Sequence, residues 1–115
     1  MKFVLTMPPS INATYKTSGE GGFYKSQKAH DWTEEAGYAV KKQRIGRRII
    51  TGSVIVTISW FYKKNRDIDA GMKLLLDLLQ KQDIYKDDIQ IQEMAVHKEQ
   101  DTLNPRVEVE VYEMD

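Results

Sequence analysis

Apolar residues recur at every second position between residues 52 and 62. Val54, Val56, Ile58 and Trp60 therefore share one face of an extended chain, and β-branched residues dominate the segment. This pattern predicts a β-strand with one buried face. Three further strands are predicted, at residues 2–7, 89–98 and 106–112.

The alternation in segment 89–98 changes phase partway along. The apolar residues up to Ile91 lie on one face of the predicted strand, and those from Met94 onward lie on the other. One extra residue in a strand shifts the alternation in this way. The sequence therefore predicts a β-bulge near residues 92–93.

Two segments carry apolar residues at spacings of three and four, which predicts helices. The first spans residues 26–43 and places Trp32, Ala36 and Val40 on one face. The second begins after residue 70, and its stripe contains Met72, Leu75, Leu76 and Leu79. Residues 10–26 contain three glycines and show little periodicity, so they are predicted to form a loop.

The order of these elements, β-α-β-α-β-β, predicts an α+β fold. We expect a single domain over residues 1–115, with two main helices packed on a mixed β-sheet. A chain of 115 residues with 41% hydrophobic content is enough for one compact domain and hardly two. No apolar run approaches the roughly 20 residues that span a bilayer, so we expect a cytoplasmic protein without a membrane segment.

The formal net charge is zero, but the two signs are segregated along the chain. Residues 1–66 carry 12 Lys/Arg against 4 Asp/Glu, and residues 67–115 carry 5 against 13. A basic half joined to an acidic half suits a phosphodiesterase that binds phosphates with cations and metal ions with carboxylates. The alternative is that the two halves neutralise each other across an ordinary surface. The absence of cysteine excludes thiolate metal sites.

Paired aspartates bracket the second helix. Asp67 and Asp69 precede it at a spacing that lets both carboxylates reach one cation, and Asp87-Asp88 follow it. Lys73 lies one turn after Asp69 and could neutralise a phosphate. The alternative is that the aspartates cap helix ends or form turns. If they form a site, we expect the helix to bring both pairs to one edge of the domain.

Two basic clusters lie in the first half of the chain. Lys63, Lys64 and Arg66 directly precede Asp67, where they could bind the phosphates of a nucleic acid. The second cluster is the run KKQRIGRR, which contains Lys41, Lys42, Arg44, Arg47 and Arg48. Taken alone, the second cluster is better explained as a solvated helix end and turn, whereas beside the aspartates we expect it to contact DNA.

The combination of these motifs resembles the RusA-type Holliday-junction resolvases. That family has an Asp-x-Asp-Asn motif, a lysine and an aspartate on the following helix, and a later Asp-Asp pair. The corresponding residues here are Asp67-Ile-Asp69-Ala70, Lys73, Asp77 and Asp87-Asp88. The opening also resembles the family's Pro-Pro-Ser-x-Asn-x-x-Tyr motif, through Pro8, Pro9, Ser10, Asn12 and Tyr15.

The resemblance implies a metal-dependent endonuclease that resolves Holliday junctions by paired symmetric nicks in DNA recombination and repair. It implies that Asp67, Asp69 and Asp88 are catalytic, metal-binding carboxylates and that Lys73 lies near the scissile phosphate. Asp87 is a second possible ligand. Mg²⁺ is the implied metal, with Mn²⁺ as a substitute, and the implied assembly on a four-way junction is a homodimer.

One residue departs from the family pattern. Ala70 stands where the family has Asn, and this change bears on activity or substrate preference. Two other functions stay open on the sequence: a nuclease for other branched DNA, and a non-catalytic protein that binds branched DNA. A third is a small interaction domain whose aspartates only cap helices.

Overall fold

The computed structural model of the protein describes residues 1–9, 15–17 and 23–114. Its elements in chain order are β1 (Lys2–Leu5), β2 (Tyr15–Thr17), β3 (Phe23–Lys25), α1 (Gln27–Gln43), β4 (Val54–Tyr62), α2 (Met72–Lys81), a 3₁₀ helix (Asp88–Gln90), β5 (Ile91–Gln100) and β6 (Arg106–Glu113). All four predicted strands and both predicted helices are present. The predicted α+β architecture is confirmed.

The main sheet has four strands in the order β1-β6-β4-β5. β4 and β5 are parallel, whereas β6 is antiparallel to both β4 and β1, so the sheet is mixed as predicted. The register between β4 and β5 shifts after Val54, which pairs with Ile91, because Ile55 pairs with Glu93. Gln92 is therefore the extra residue of the predicted bulge.

The loop predicted over residues 10–26 is partly wrong. β2 and β3 lie within this segment and pair as a two-stranded antiparallel sheet. Each strand is only three residues long, which is too short to produce a recognisable alternation in the sequence.

A single core lies between the sheet and the two helices. The alternating residues of β4 face it, and so do Val107, Val109 and Val111 of β6. Ser26 caps α1 by accepting a hydrogen bond from the Ala29 amide at 3.2 Å. The buried helical residues include Trp32, Ala36 and Val40 of α1 and Leu74, Leu75, Leu78 and Leu79 of α2. Within the described residues, neither helix is long and apolar enough to cross a membrane.

The parallel pairing of β4 with β5 determines which connections share an end of the sheet. Both strands terminate at the same end of the sheet, where Tyr62 pairs with Gln100. β6 begins at this end too, since Arg106 pairs with Phe61. The segment that leaves β4 toward Asp67 and the connection between β5 and β6 therefore lie at one end of the sheet.

Candidate active site

Asp67 and Asp69 lie on a tight turn between β4 and α2. The Asp67 carbonyl accepts a hydrogen bond from the Ala70 amide, and the Asp69 carbonyl accepts one from the Met72 amide, both at 3.0 Å. Gly71 is the N-cap of α2, and no side chain caps this helix. Both carboxylates are exposed, and neither is bonded to any other described residue. The turn thus presents two exposed carboxylates that neither cap a helix nor bond to another residue in the described part of the chain.

The Asp67–Asp69 turn is fixed to the N-terminal proline motif. Arg66 donates from Nη1 to the Pro8 carbonyl at 2.9 Å and from Nη2 to the Ala70 carbonyl at 3.2 Å. Pro8 is buried, and a Cβ added at Gly71 would lie 2.7 Å from Pro8 Cγ. Burial lowers the pKa of the Arg66 guanidinium. Arg66 was predicted to bind DNA, and in this chain it also holds two backbone segments together. Ser10 and Asn12 of the proline motif lie outside the described residues.

Lys98 is a cation at this end of the sheet that the sequence did not single out. Its Nζ donates to the Asn65 side chain at 3.1 Å and to the Arg66 carbonyl at 3.0 Å. The bulge in β5 sets the phase that places Lys98 beside Trp60, on the face that bears the helices. That phase was visible in the sequence, but the contact with Asn65 depends on the fold.

Lys73 is exposed in the first turn of α2. Its Nζ lies 3.9 Å from Asp77 Oδ2, one helical turn further on. An exposed pair at this distance contributes about 0.3–0.5 kcal/mol, so Asp77 holds Lys73 only weakly. The lysine is therefore available to a phosphate at little cost.

Asp88 is oriented by a buried tyrosine. The Tyr85 hydroxyl donates to Asp88 Oδ1 at 2.8 Å and lies 3.4 Å from the Leu76 carbonyl. The Asp88 amide also donates to Gln80 Oε1 at 3.3 Å. Burial, the hydrogen bond to Asp88 and the nearby acidic side chains raise the pKa of Tyr85 well above its usual range. The hydroxyl therefore stays protonated and keeps donating to Asp88.

Asp87 has a different environment from its neighbour. Its Oδ1 accepts a hydrogen bond from the Ile89 amide at 3.0 Å, and its own amide donates to Gln90 Oε1 at 2.9 Å. This reciprocal arrangement is a capping box at the start of the 3₁₀ helix. Gln90 Nε2 also donates to the carbonyls of Ile50 and Gly52. Asp87 therefore fixes the local backbone, whereas Asp88 Oδ2 is not bonded to any described residue.

The predicted site residues form a strip along α2 within one chain. Asp67 and Asp69 precede this ten-residue helix, which is about 15 Å long. Asp88 lies beside its second half, near Leu76 and Gln80. Carboxylate oxygens are the donors that Mg²⁺ prefers, so the donor types fit this metal. Within the described residues, however, no group of three acidic or histidine side chains is placed to hold a metal ion. The metal-binding roles of Asp67, Asp69 and Asp88 stay a prediction.

The two predicted basic clusters lie at opposite ends of α2. Lys63 and Lys64 are exposed just before the Asp67–Asp69 turn. Arg44 lies at the other end and donates to the Gln82 carbonyl at 2.6 Å, which ties the end of α1 to the end of α2. The rest of the second cluster is exposed: Lys41, Lys42, Arg47 and Arg48.

A comparison with known protein families identifies the family of the chain. The family model described as Endodeoxyribonuclease RusA matches residues 6–112, which is nearly the whole chain. The chain belongs to the RusA endodeoxyribonuclease family. A search of curated proteins found no match. Membership in the RusA family implies Holliday-junction resolvase activity on branched DNA, and it confirms the resemblance found in the sequence.

Proposed function

We propose that the protein is a metal-dependent endonuclease that resolves four-way DNA junctions by paired symmetric nicks. One observation carries this proposal within the RusA family. Asp67 and Asp69 are exposed, are not used as caps and have no partner among the described residues, on a turn that Arg66 bonds to Pro8. Two carboxylates that cap no helix and lie on a turn held in place by hydrogen bonds are suited to binding a cation. We propose that the enzyme acts in DNA recombination and repair in the cytoplasm.

Asp67, Asp69 and Asp88 would hold Mg²⁺, or Mn²⁺ in its place. When bound, such an ion lowers the pKa of water and stabilises charge on a phosphodiester. Tyr85 bonds one oxygen of Asp88, and the other has no partner among the described residues. Asp87, which the sequence left as a possible ligand, is better suited to its capping role. Lys73 can leave Asp77 and offset negative charge on the phosphate in the transition state.

A homodimer fits this proposal for two reasons. Two symmetric cuts across a four-way junction call for two related active centres. In addition, the described residues of one chain form no group of three metal-binding side chains, and a second copy could supply a carboxylate to a shared site. Mixing inactive Asp69→Asn and Asp88→Asn chains tests this point. If the mixture cleaves the junction, the site is shared between two chains. If the mixture is inactive, the site lies within one chain.

Exposed cations at both ends of α2 would hold the DNA backbone. Lys63 and Lys64 are placed next to the Asp67–Asp69 turn, and the second cluster extends the contact to the far end of the helix. Each phosphate neutralised contributes about 0.9 to the slope of log affinity against log salt concentration. Arg44 and Arg66 would act partly by holding the backbone that carries the other basic residues.

The test is cleavage of a labelled synthetic four-way junction and of a linear duplex with matching sequence. Both substrates are incubated with Mg²⁺, Mn²⁺ or EDTA, using the wild type and Asp69→Asn. Asp83→Asn is the matched control, because Asp83 is an exposed acid with a φ of 56° that asparagine tolerates. We expect cutting of the junction alone, lost with EDTA and with Asp69→Asn and kept with Asp83→Asn. Equal cutting of the duplex would refute junction specificity.

Ala70 favours one second candidate function, a protein that binds branched DNA without cutting it. The family's asparagine is absent at this position, and the Ala70 carbonyl is already bonded to Arg66. Tight junction binding without cleavage under any metal condition would support this candidate. In that case, Ala70→Asn is the variant expected to gain cleavage. Metal-dependent cutting of forks or flaps in preference to four-way junctions would instead identify a nuclease for other branched DNA.

A further inference from the structure

The connection between β5 and β6 forms a short projection at the end of the sheet that carries Asp67. We call residues 101–105 the tip loop. The Asp101 amide donates to the Tyr62 carbonyl at 2.8 Å, so the tip loop is bonded to the last residue of β4. The chain that leaves Tyr62 continues through Lys63 and Lys64 to Asp67. The tip loop therefore lies beside the start of the segment that carries the first basic cluster and leads to the candidate catalytic turn.

Leu103 projects from the tip loop into solvent. Its side chain is 97% exposed, which is the largest exposure of any large apolar residue in the described part of the chain. Single exposed apolar side chains are common on protein surfaces, so the exposure does not by itself indicate a function. What distinguishes Leu103 is that the backbone on both sides of it is held in place.

Hydrogen bonds and an ion pair fix the tip loop on either side of Leu103. Asp101 Oδ1 accepts from the Asn104 amide at 3.1 Å, and Asp101 Oδ2 accepts from Arg106 Nη1 at 2.8 Å. Arg106 Nη1 also donates to the Asn104 carbonyl at 2.9 Å, and the Arg106 guanidinium lies 4.0 Å from the centre of the Phe61 ring. The loop thus holds an apolar side chain outward in a fixed position, although no described residue covers it.

We propose that Leu103 is a wedge that inserts between base pairs at the branch point of the DNA. The inference rests on the proposed function, because it assumes that branched DNA binds at this end of the sheet. Lys63 and Lys64 would hold the backbone of a strand beside Asp67, and Leu103 would then face its bases. Apolar side chains that enter DNA in this way unstack a base step. A branch point is the place where a step is most easily unstacked, since base stacking is already interrupted there.

A wedge at this position would contribute to selectivity for junctions over duplex. In a continuous duplex, insertion must overcome the full stacking energy of a step, whereas at a branch point it meets less resistance. The Asp101 carboxylate, which would otherwise repel the DNA, is paired with Arg106. The apolar tip is therefore not opposed by an unpaired charge within its own loop.

The experiment places the fluorescent base 2-aminopurine either at the branch point or within one arm of a four-way junction. Binding is measured in EDTA, so that cleavage does not interfere, with the wild type, Leu103→Ala, Leu103→Met and the matched control Thr102→Ala. Thr102 is an exposed neighbour of Leu103 in the same loop. We expect the wild type, Leu103→Met and Thr102→Ala to raise fluorescence at the branch point only. Leu103→Ala should lose most of this rise and bind the junction about tenfold more weakly, with duplex affinity unchanged.

The outcomes separate this inference from the proposed function. If the wild type prefers the junction and Leu103→Ala gives the same fluorescence rise, the wedge is refuted and the proposed function stands. Junction binding by the wild type without any rise in fluorescence also refutes the wedge. If the wild type binds junction and duplex equally and also cuts neither or both of them when Mg²⁺ is added, the proposed function fails and the inference fails with it. Because Leu103 is not part of the core, its replacement should leave the urea midpoint unchanged, which checks that the variant is folded.

Discussion

Replacing Gly71 by alanine should disturb the candidate catalytic turn more than an equivalent change elsewhere. Gly71 has a φ of 85°, and an added Cβ would lie 2.7 Å from Pro8 Cγ and 3.1 Å from Arg66 Nη2. Gly46 provides a matched control, because its φ is 80° and an added Cβ would have no neighbour within 4 Å. The two substitutions share a positive φ and differ in the crowding that the added Cβ meets.

The expected magnitudes follow from these contacts. A left-handed conformation costs an alanine about 1–2 kcal/mol, and the reduced freedom of the unfolded chain returns about 0.4–1 kcal/mol. Gly46→Ala should therefore destabilise the protein by about 1 kcal/mol. In Gly71→Ala, Pro8 or Arg66 must also move, which endangers a charged hydrogen bond worth about 1.5–3 kcal/mol. Because Arg66 is only half-buried, we take the lower part of that range and expect a total near 3 kcal/mol.

Urea unfolding of both variants measures the difference. With a slope of about 1.5 kcal/mol per molar urea, an extra 2 kcal/mol lowers the midpoint by about 1.3 M relative to Gly46→Ala. At temperatures where both variants are folded, Gly71→Ala should also cut junctions more slowly, because the turn that carries Asp67 and Asp69 is displaced. Equal midpoints for the two variants would show that the proline motif does not pack tightly on this turn.

Three further predictions concern the second aspartate pair and the basic cluster. The pKa of the Tyr85 hydroxyl is raised in the folded protein, so the unfolded chain loses the hydroxyl proton at a lower pH than the folded chain does. The free energy of unfolding of the wild type should therefore fall as the pH rises above about 10. Tyr85→Phe should reduce this loss of stability, measured as the difference between the urea midpoints at about pH 9 and about pH 11. An equal loss in Tyr85→Phe would show that Tyr85 is not its cause. Asp87→Ala should cost about 1 kcal/mol through its lost cap and retain cleavage, whereas Asp88→Asn should stay folded and lose cleavage. Activity lost with Asp87→Ala but kept with Asp88→Asn would reverse their roles. Lys63→Met should lower the slope of log junction affinity against log salt concentration by about 0.9. An unchanged slope would show that Lys63 does not contact the DNA.

The elements that could be predicted are those with a repeating pattern long enough to see. The alternation in β4 and the leucine spacing in α2 extend over whole elements, and even the bulge at Gln92 appears as a change of phase. β2 and β3 could not be found in this way, because three residues do not establish a period.

The candidate site could be predicted by residue type and order but not by contact. Nothing local in the sequence indicates that Arg66 bonds to Pro8, since 58 positions separate them and the contact depends on the packed fold. Lys98 was missed for the same reason. The capping role of Asp87 could be predicted from the sequence, because Asp87 followed by Gln90 has the spacing of a capping box. The position of Asp88 beside Leu76 and Gln80 follows from where the segment after α2 packs, which no local pattern indicates.

Two cuts in symmetric positions of a four-way junction are what the proposed function requires of this protein. A supercoiled plasmid with an extruded cruciform tests this claim most directly, because two coupled nicks across the junction convert the circle to a linear molecule with defined ends. With Mg²⁺, we expect linear product from the wild type, with the two incisions in opposing strands at equivalent positions. We expect no product from Asp69→Asn. Accumulation of nicked circles without linear product, or equal cutting of a plasmid that has no cruciform, would contradict the account.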